Sequence, residues 1–571
     1  MKYISLLLCF ISVNALGQQT PFEISKGQKS ATYFEAADWY KKLQKKSTIL
    51  IVKTMGETDA GYPLHLTLIS SDSKFDPIGW HRSKKVVILI NNGIHPGEPD
   101  GIDASMMLAR DIVNKKIVLP PNVALAIIPV YNIGGALNRN STTRVNQNGP
   151  VEYGFRGNSQ NLDLNRDFTK NDSRESRSFA QIFHFLDPDI FIDTHVSDGA
   201  DYQHTMTLIT TQYDKLGNLG TYLRKEFEPL LFGSMKNKGW EMIPYMNFEF
   251  MNADRGMAMF NESPRYSTGY AALFNTMGFM PETHMLKDYQ TRVSSTYDLM
   301  RVFIETAAGQ ANKIKTERQN AKNTALAANA FTLSWKADTS IFKKFVFNGY
   351  TQKFATSAAT GLEKMYYDKG SPYTDSIKFF NRFIPADTVK KPRAYLIPQG
   401  WQEVVDRLKL NRVTLKQLQT DTILRVTGYR IESYKSFPNP YEKHHKNYAV
   451  KVSSSVVDKK FLKGDYRVEL NQAANRYLVE MLEPAGDDSF FAWNFFDGIL
   501  QQKEGYSDYR WEDLAAAELQ KNPGLKSKLE QKKKADLKFA ASSKDQLEFI
   551  YKNSPYYEAA HMAYPVYRVE D

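Results

Sequence analysis

The sequence predicts an α/β protein: a doubly wound mixed, largely parallel sheet with helices on both faces, followed by a β-rich C-terminal region. Three observations predict it. Continuous apolar runs such as Val86-Val87-Ile88-Leu89-Ile90 and Val123–Tyr131 have the length and branching of strands buried on both faces. Helical patterns lie between them, at Ala104–Val113 and Arg174–Leu186, an alternation that places parallel strands under helices. Beyond about Ala330 the composition shifts to aromatic and β-branched residues in short alternating runs.

The chain has 571 residues, 42% hydrophobic and 13% aromatic, enough for a large core and more than one domain. Its formal charge of +11 is dispersed, which argues against a nucleic-acid footprint. The basic run Lys526–Lys538 reads as the solvated face of a helix. At the N-terminus, Lys2, the apolar run Ile4–Val13 and Ala15-Leu16-Gly17 read as a secretory signal over residues 1–17. A secreted or periplasmic destination is therefore expected. The apolar run is too short to span a bilayer, and no later segment is apolar enough, so stable membrane insertion is not expected. A monomer is expected. The single cysteine, Cys9, lies inside the signal, with Leu8 where a lipid anchor needs a small residue. The mature chain then has neither disulfides nor thiolate ligands, and any metal must be held by His, Asp or Glu.

Taken in order, Tyr33–Leu43 has helical spacing, and Thr48–Thr54 and Pro63–Ser70 read as strands joined by the turn Gly56–Gly61. Lys85–Asn91 is the central strand, running into Asn92-Gly93-Ile94-His95-Pro96-Gly97-Glu98 and then a helix. After strand Val123–Tyr131 comes a polar stretch, Asn132–Asn161, rich in Gly, Asn and Arg; a loop that long is usually functional or disordered. Helix Arg174–Leu186, strand Ile190–Asp193, strand Thr205–Thr210 and helix Leu216–Phe227 continue the alternation. Helix Ser294–Gln319 closes the domain, and Asn320–Ala330 reads as a linker. Residues 18–325 thus form the expected catalytic domain and 326–571 the β-rich C-terminal region, with strands at Phe345–Tyr350, Tyr395–Pro398, Thr422–Tyr429 and Tyr448–Val452.

Four places carry chemistry: His95-x-x-Glu98 after a strand; Leu162-Asp163-Leu164-Asn165-Arg166-Asp167-Phe168, with Arg156 upstream; the strand ending in Asp193-Thr194-His195; and the apolar stretch ending in Pro281-Glu282-Thr283-His284. Strand ends in open α/β sheets are where ligands bind. Two histidines and a glutamate give zinc three protein ligands and leave a position for water. A separate carboxylate is then needed to take the water's proton and pass it to a leaving amine. Arginines in the same crevice suit a carboxylate or an oxyanion.

This ordered set resembles the zinc metallocarboxypeptidase family, the relatives of pancreatic carboxypeptidase A, over roughly Tyr33–Gly309. The resemblance implies a carboxypeptidase-like fold and one Zn²⁺ held by His95, Glu98 and His195. It implies Glu282 as general base and then acid, and Arg156 as carbonyl polariser. Asn165 and Arg166 would grip the terminal carboxylate of a peptide or protein substrate, and Asp163 would orient His95. Tyr266 corresponds best to the family's mobile tyrosine, with Tyr270 competing. The sequence departs from the family in having Tyr62 where arginine is common, and Pro-Glu-Thr-His around Glu282. The stretch Leu482–Asp497, followed by Gln502-Lys503-Glu504, resembles a C-terminal region carried by large secreted bacterial members.

Each residue also has a plainer reading. Glu98 alone suits a helix N-terminus, Arg156 alone suits a surface loop, and Asp193 reads equally as a strand-end acid or a partner of the zinc site. His184, His204 and His284 read as structural, His444 and His445 as solvated, and Trp493 as core of the C-terminal region. The leading function is a secreted zinc exopeptidase acting at C-termini. The alternatives are a zinc amidase on murein stem peptides or N-acyl amino acids, and a non-catalytic peptide-binding protein. A serine hydrolase would need a Gly-x-Ser-x-Gly elbow, which the chain lacks.

Overall fold

The computed structural model describes residues 18–246 and 256–570; the expected signal, residues 1–17, lies outside the described residues. The central sheet contains β1 (Leu50–Gly56), β2 (Leu64–Ile69), β3 (Val86–Asn91), β4 (Val123–Ile128), β5 (Ile190–Asp193), β6 (His195–Ser197), β7 (Met206–Thr210) and β8 (Ile243–Pro244). After a short β9 (Met257–Ala258), which pairs elsewhere, β10 (Met277–His284) returns to it. The order is β1-β2-β4-β3-β5-β10-β7-β8, with β6 also beside β10. The inner strands β4, β3, β5 and β10 are mutually parallel, and antiparallel pairs flank them.

Every residue of β3, β4 and β5 is buried. The two-residue period of a strand sends alternate side chains to opposite faces. Val86, Ile88 and Ile90 enter one core with helices Tyr33–Gln44, Asp100–Val113 and Tyr289–Gly309. Val87 and Leu89 enter another with Phe179 and Phe183 of helix Arg174–Leu186, which starts where Ser173 accepts a hydrogen bond from the Ser176 amide.

Two helical expectations are corrected. The helix expected over Leu216–Phe227 is a string of pieces reaching Asn237: Tyr213–Leu216, Asn218–Tyr222, a π turn at Leu223–Phe227, and Glu228–Asn237. Pro229, which has no N–H to donate, follows the π turn. The helix expected over Ser294–Gln319 starts at Tyr289 under an Asp288 cap, breaks at Gln310 and resumes as Ala311–Ala327. The stretch read as a linker is therefore mostly helix, because this segment packs: Ile314, Arg318 and Ala321 are buried. The Arg318 guanidinium lies 2.6 Å from Asp187 and 3.1 Å from Asp189.

Beyond it, β11 (Ala330–Ala337) pairs with β14 (Phe383–Lys390), and β12 (Lys343–Thr356) with β13 (Glu363–Phe380) forms a long hairpin whose base meets β9. A six-stranded sheet joins β15 (Ala394–Ile397), β16 (Lys416–Gln417), β17 (Thr422–Ser436), β18 (Asn447–Phe461), β19 (Tyr466–Glu469) and β20 (Tyr567–Val569) in the order β16-β19-β15-β20-β17-β18. The final hundred residues are mainly helical. They include Pro523–Ala535, which buries Leu525 and Leu529 and leaves its lysines outward. The cores cross between the two halves. Phe347, Ile377 and Phe379 pack with Leu208 and Met257, while Tyr395, Leu408 and Tyr477 pack with Leu64, Phe179 and Phe183. Among the described residues no helix is long and apolar enough to cross a membrane.

Candidate metal centre and cleft

The inner strands all end at one edge, and the site stands there. After β3, Gly93 turns the chain at φ +66°, a conformation that favours glycine, and the turn delivers His95. Gly97 lets the loop opposite come close: a Cβ there would meet Arg144 Cδ at 2.6 Å. Glu98 follows at the mouth of helix Asp100–Val113. His195 opens β6, and the register pairs it with Glu282 of β10.

His95 Nδ1 lies 3.2 Å from Glu98 Oε1, and His195 Nδ1 lies 3.2 Å from Glu98 Oε2. The far nitrogens are engaged elsewhere: His95 Nε2 is 2.9 Å from Asp163 Oδ1, and His195 Nε2 is 3.1 Å from Asp193 Oδ2. Carboxylates outside the ring set the tautomer and the ring plane, leaving each Nδ1 to a ligand. His95 Nδ1 is buried without a hydrogen-bond partner, since its approach to Glu98 lacks hydrogen-bond alignment. One donor atom from each of the three residues lies within 4.8 Å of the others. Two imidazole nitrogens and a carboxylate, with an orphaned nitrogen aimed between them, fit a catalytic-type zinc site. Burial opposes the Glu98 charge, but His95 and Arg144 with the His195 hydrogen bond hold its pKa well below the ordinary range. Burial likewise opposes the His195 charge, and Asp193 overrides it, raising the pKa well above the usual histidine value. Asp193, open to two readings from sequence, thus sits against His195 and also accepts from Asn91 Nδ2 at 2.9 Å.

Glu282 is 7% exposed and lines the same cleft, of about 280 Å³. Burial pushes its pKa up to about 8; the His195 charge opposes this, and the Glu98 and Glu262 carboxylates reinforce it.

The opposite wall is irregular backbone. Arg156 Nε and Nη2 lie 2.9 and 2.8 Å from Asp163 Oδ2, and its Nη1 is 3.6 Å from Glu98. Asp163 caps the short turn Leu164–Arg166 by accepting from the Asn165 amide. Arg166 donates from Nη1 to the Asn165 carbonyl at 2.9 Å, and its guanidinium stands 4.4 Å over the Tyr266 ring. Asn165, Arg166 and Tyr266 all line the cleft. Tyr270 does not: it is fully buried, donating to Asn411 Oδ1 at 2.7 Å.

Sequence reasoning missed Arg144, Asp198, Tyr245, Phe260 and Glu262, which also line the cleft. Arg144 Nη1 is 2.9 Å from Glu98 Oε1, and its Nη2 donates to the Val196 carbonyl at 3.2 Å, tying the two ligand-bearing segments together. Glu262 is buried and accepts from the Thr268 amide and hydroxyl at 3.1 and 2.5 Å; burial raises its pKa. His184, His204 and His284 bond to Asn411, Glu241 and Ala200 respectively and do not line the cleft. His444, expected to be solvated, instead lies 2.7 Å from Asp172 and packs against Trp493, because its loop is pressed onto the catalytic half.

A buried His-Glu-His donor set beside a separate buried carboxylate, facing an arginine-bearing wall at the edge of a mixed α/β sheet, defines a metallohydrolase type of site. Residues 36–194 match the family model described as zinc carboxypeptidase. The match includes His95, Glu98, Arg156, Asp163, Asn165 and Arg166 and stops one residue short of His195. The chain is 21% identical over 471 residues to carboxypeptidase 2 of Trichophyton rubrum, covering 78% of this chain and 79% of that one. Among solved structures, carboxypeptidase A of Helicoverpa armigera superposes with a TM-score of 0.36 at 15% identity, over 50% of this chain and 75% of that one. A metallo-carboxypeptidase of Burkholderia cenocepacia gives 0.37 at 14% identity, over 48% and 70%.

Proposed function

We propose that the protein is a secreted zinc-dependent metallocarboxypeptidase that hydrolyses the C-terminal bond of peptides or proteins. The observation that carries this is the placement of Glu282 beside the His95–Glu98–His195 donor set, across one cleft from Asn165 and Arg166. Bound zinc would supply Lewis acidity, lowering the pKa of a water and polarising a carbonyl. Glu282 takes the water's proton and later delivers it to the leaving amine; burial favours that exchange by raising its pKa above the ordinary carboxylate range. Arg156 donates to the oxygen of the scissile carbonyl as negative charge develops there. Arg166 and Asn165 receive the terminal carboxylate, which a guanidinium binds with two parallel hydrogen bonds, and Tyr266 flanks it. The last side chain of the substrate enters the pocket of Ile209, Tyr245, Phe260 and Met280, where the Glu262 carboxylate favours a basic residue.

The test is release of amino acids from paired peptides ending in a free acid or an amide, with and without a chelator. Chelator-sensitive release from the acids alone is expected, fastest for C-terminal lysine or arginine. Equal cleavage of the amides would overturn the exopeptidase reading, and activity insensitive to exhaustive chelation would overturn the metal.

A further inference from the structure

The turn between β17 and β18 comes from far along the chain, yet it ends against the cleft wall. Tyr441 to His444 close a two-residue turn, the Tyr441 amide donating to the His444 carbonyl at 2.7 Å and the reverse bond measuring 3.1 Å. Both central residues are left-handed, Glu442 at φ +49° and Lys443 at φ +76°. Such turns normally carry Asn-Gly, because residues with a Cβ resist this conformation. Strain of this kind persists where surrounding contacts impose it, and it clusters at functional sites.

The contacts that impose it face the segment Asp163–Asp172. Glu442 Oε2 accepts from the Asp163 amide at 2.8 Å. The Tyr441 hydroxyl accepts from Arg166 Nε at 3.1 Å. His444 pairs with Asp172. Behind them the Tyr441 ring stacks on Trp493 at 6.1 Å and 15°. Trp493 is wholly buried, with Lys170, Arg265 and Lys446 around its ring. Asp163 in turn bonds His95 and Arg156. The guanidinium of Arg166 has five N–H donors in one plane; with Nε committed to Tyr441 and Nη1 to the Asn165 carbonyl, that plane is fixed.

We propose that Tyr441 and Glu442 are positioning residues of the cleft, so that the C-terminal region completes the subsite for the substrate's terminal carboxylate. Tyr441 sets the plane of Arg166, and Glu442 holds the amide end of the segment that carries Asp163, Asn165 and Arg166. This rests on the carboxypeptidase reading. The test is calorimetric binding of benzoyl-glycyl-arginine and its C-terminal amide to the zinc-loaded full chain carrying Glu282→Gln, which suppresses turnover. That protein should bind the acid at least about tenfold tighter than the amide, a hydrogen-bonded charge being involved. Adding Tyr441→Phe, which keeps the ring stack, should shrink the ratio by about fivefold with zinc content and thermal midpoint unchanged. Glu442→Gln, which keeps an acceptor for the Asp163 amide, should retain the ratio, and Glu442→Ala should lower it. In the otherwise native enzyme, Tyr441→Phe should raise KM for the acid and leave kcat within about twofold, the signature of lost uniform binding. An unchanged acid-to-amide ratio in both Tyr441→Phe and Glu442→Ala overturns the positioning role alone, including when the midpoint falls. Equal binding of acid and amide before either change overturns the carboxypeptidase reading and this role together.

Discussion

On one wall of the cleft, His195 and Glu282 occupy paired positions of β6 and β10, and His95 and Glu98 leave the end of β3 through a short turn. On the other wall, Arg156, Asn165 and Arg166 sit in irregular backbone and are steadied by side chains from elsewhere, Asp163 nearby and Tyr441 and Glu442 from the C-terminal region. Strand register fixes side-chain positions through the hydrogen bonds of the whole sheet. A loop needs an external brace to reach comparable precision. On the proposed reading, metal binding and proton transfer stand on the first kind of support, while polarisation of the carbonyl by Arg156 and recognition of the substrate's end stand on the second.

The comparison predicts effects of different kind and size. Glu282→Gln removes proton transfer and should lower kcat by about 10²- to 10⁴-fold, with zinc content unchanged by elemental analysis; near-normal turnover would reassign the base. His195→Ala should abolish zinc retention after dialysis. Asp193→Asn, which alters the contact on the far side of that imidazole, should weaken zinc by about 10- to 100-fold. On the braced wall, Arg166→Met should raise KM for free-acid peptides by about tenfold or more, a charge-assisted bond contributing about 1.5–3 kcal/mol, with a smaller change in kcat. A kcat loss as large as that of Glu282→Gln would erase the distinction between the walls.

The smallest effect concerns pH. Glu282 must be ionised to accept a proton, so kcat/KM should fall as pH drops through its pKa. Burial places that pKa at about 8 without metal, and a bound cation pulls it toward the ordinary value of about 4.3. The acid limb should therefore lie between these two values and disappear from the residual activity of Glu282→Gln.

The strand-borne wall was readable in the sequence because β3 and β5 are continuous apolar runs that lead shortly into His95 and His195, and β10 begins apolar and carries Glu282 near its end. Helix Arg174–Leu186 was readable from its apolar spacing, and the structure keeps the same bounds. Arg144 and Glu262 were not, because they lie in stretches with no periodicity; the Arg144 partner Glu98 is set by tertiary approach, and Glu262 meets Thr268 across an irregular turn. Asn320–Ala327 resembled a linker because Asn, Thr and Ala dominate it, whereas its helix depends on packing of Ile314, Arg318 and Ala321. The contact of Tyr441 with Arg166 spans 275 positions and has no local trace.

The cores that run across both halves carry a practical consequence. A protein cut after Ala327 would strip Leu64, Phe179 and Phe183 of their cover from Tyr395, Leu408 and Tyr477, and exposed apolar patches of that sort drive aggregation. Expression trials of such a fragment should yield insoluble material, and proteolysis of the intact chain should nick the outlying β12–β13 hairpin before it separates the halves.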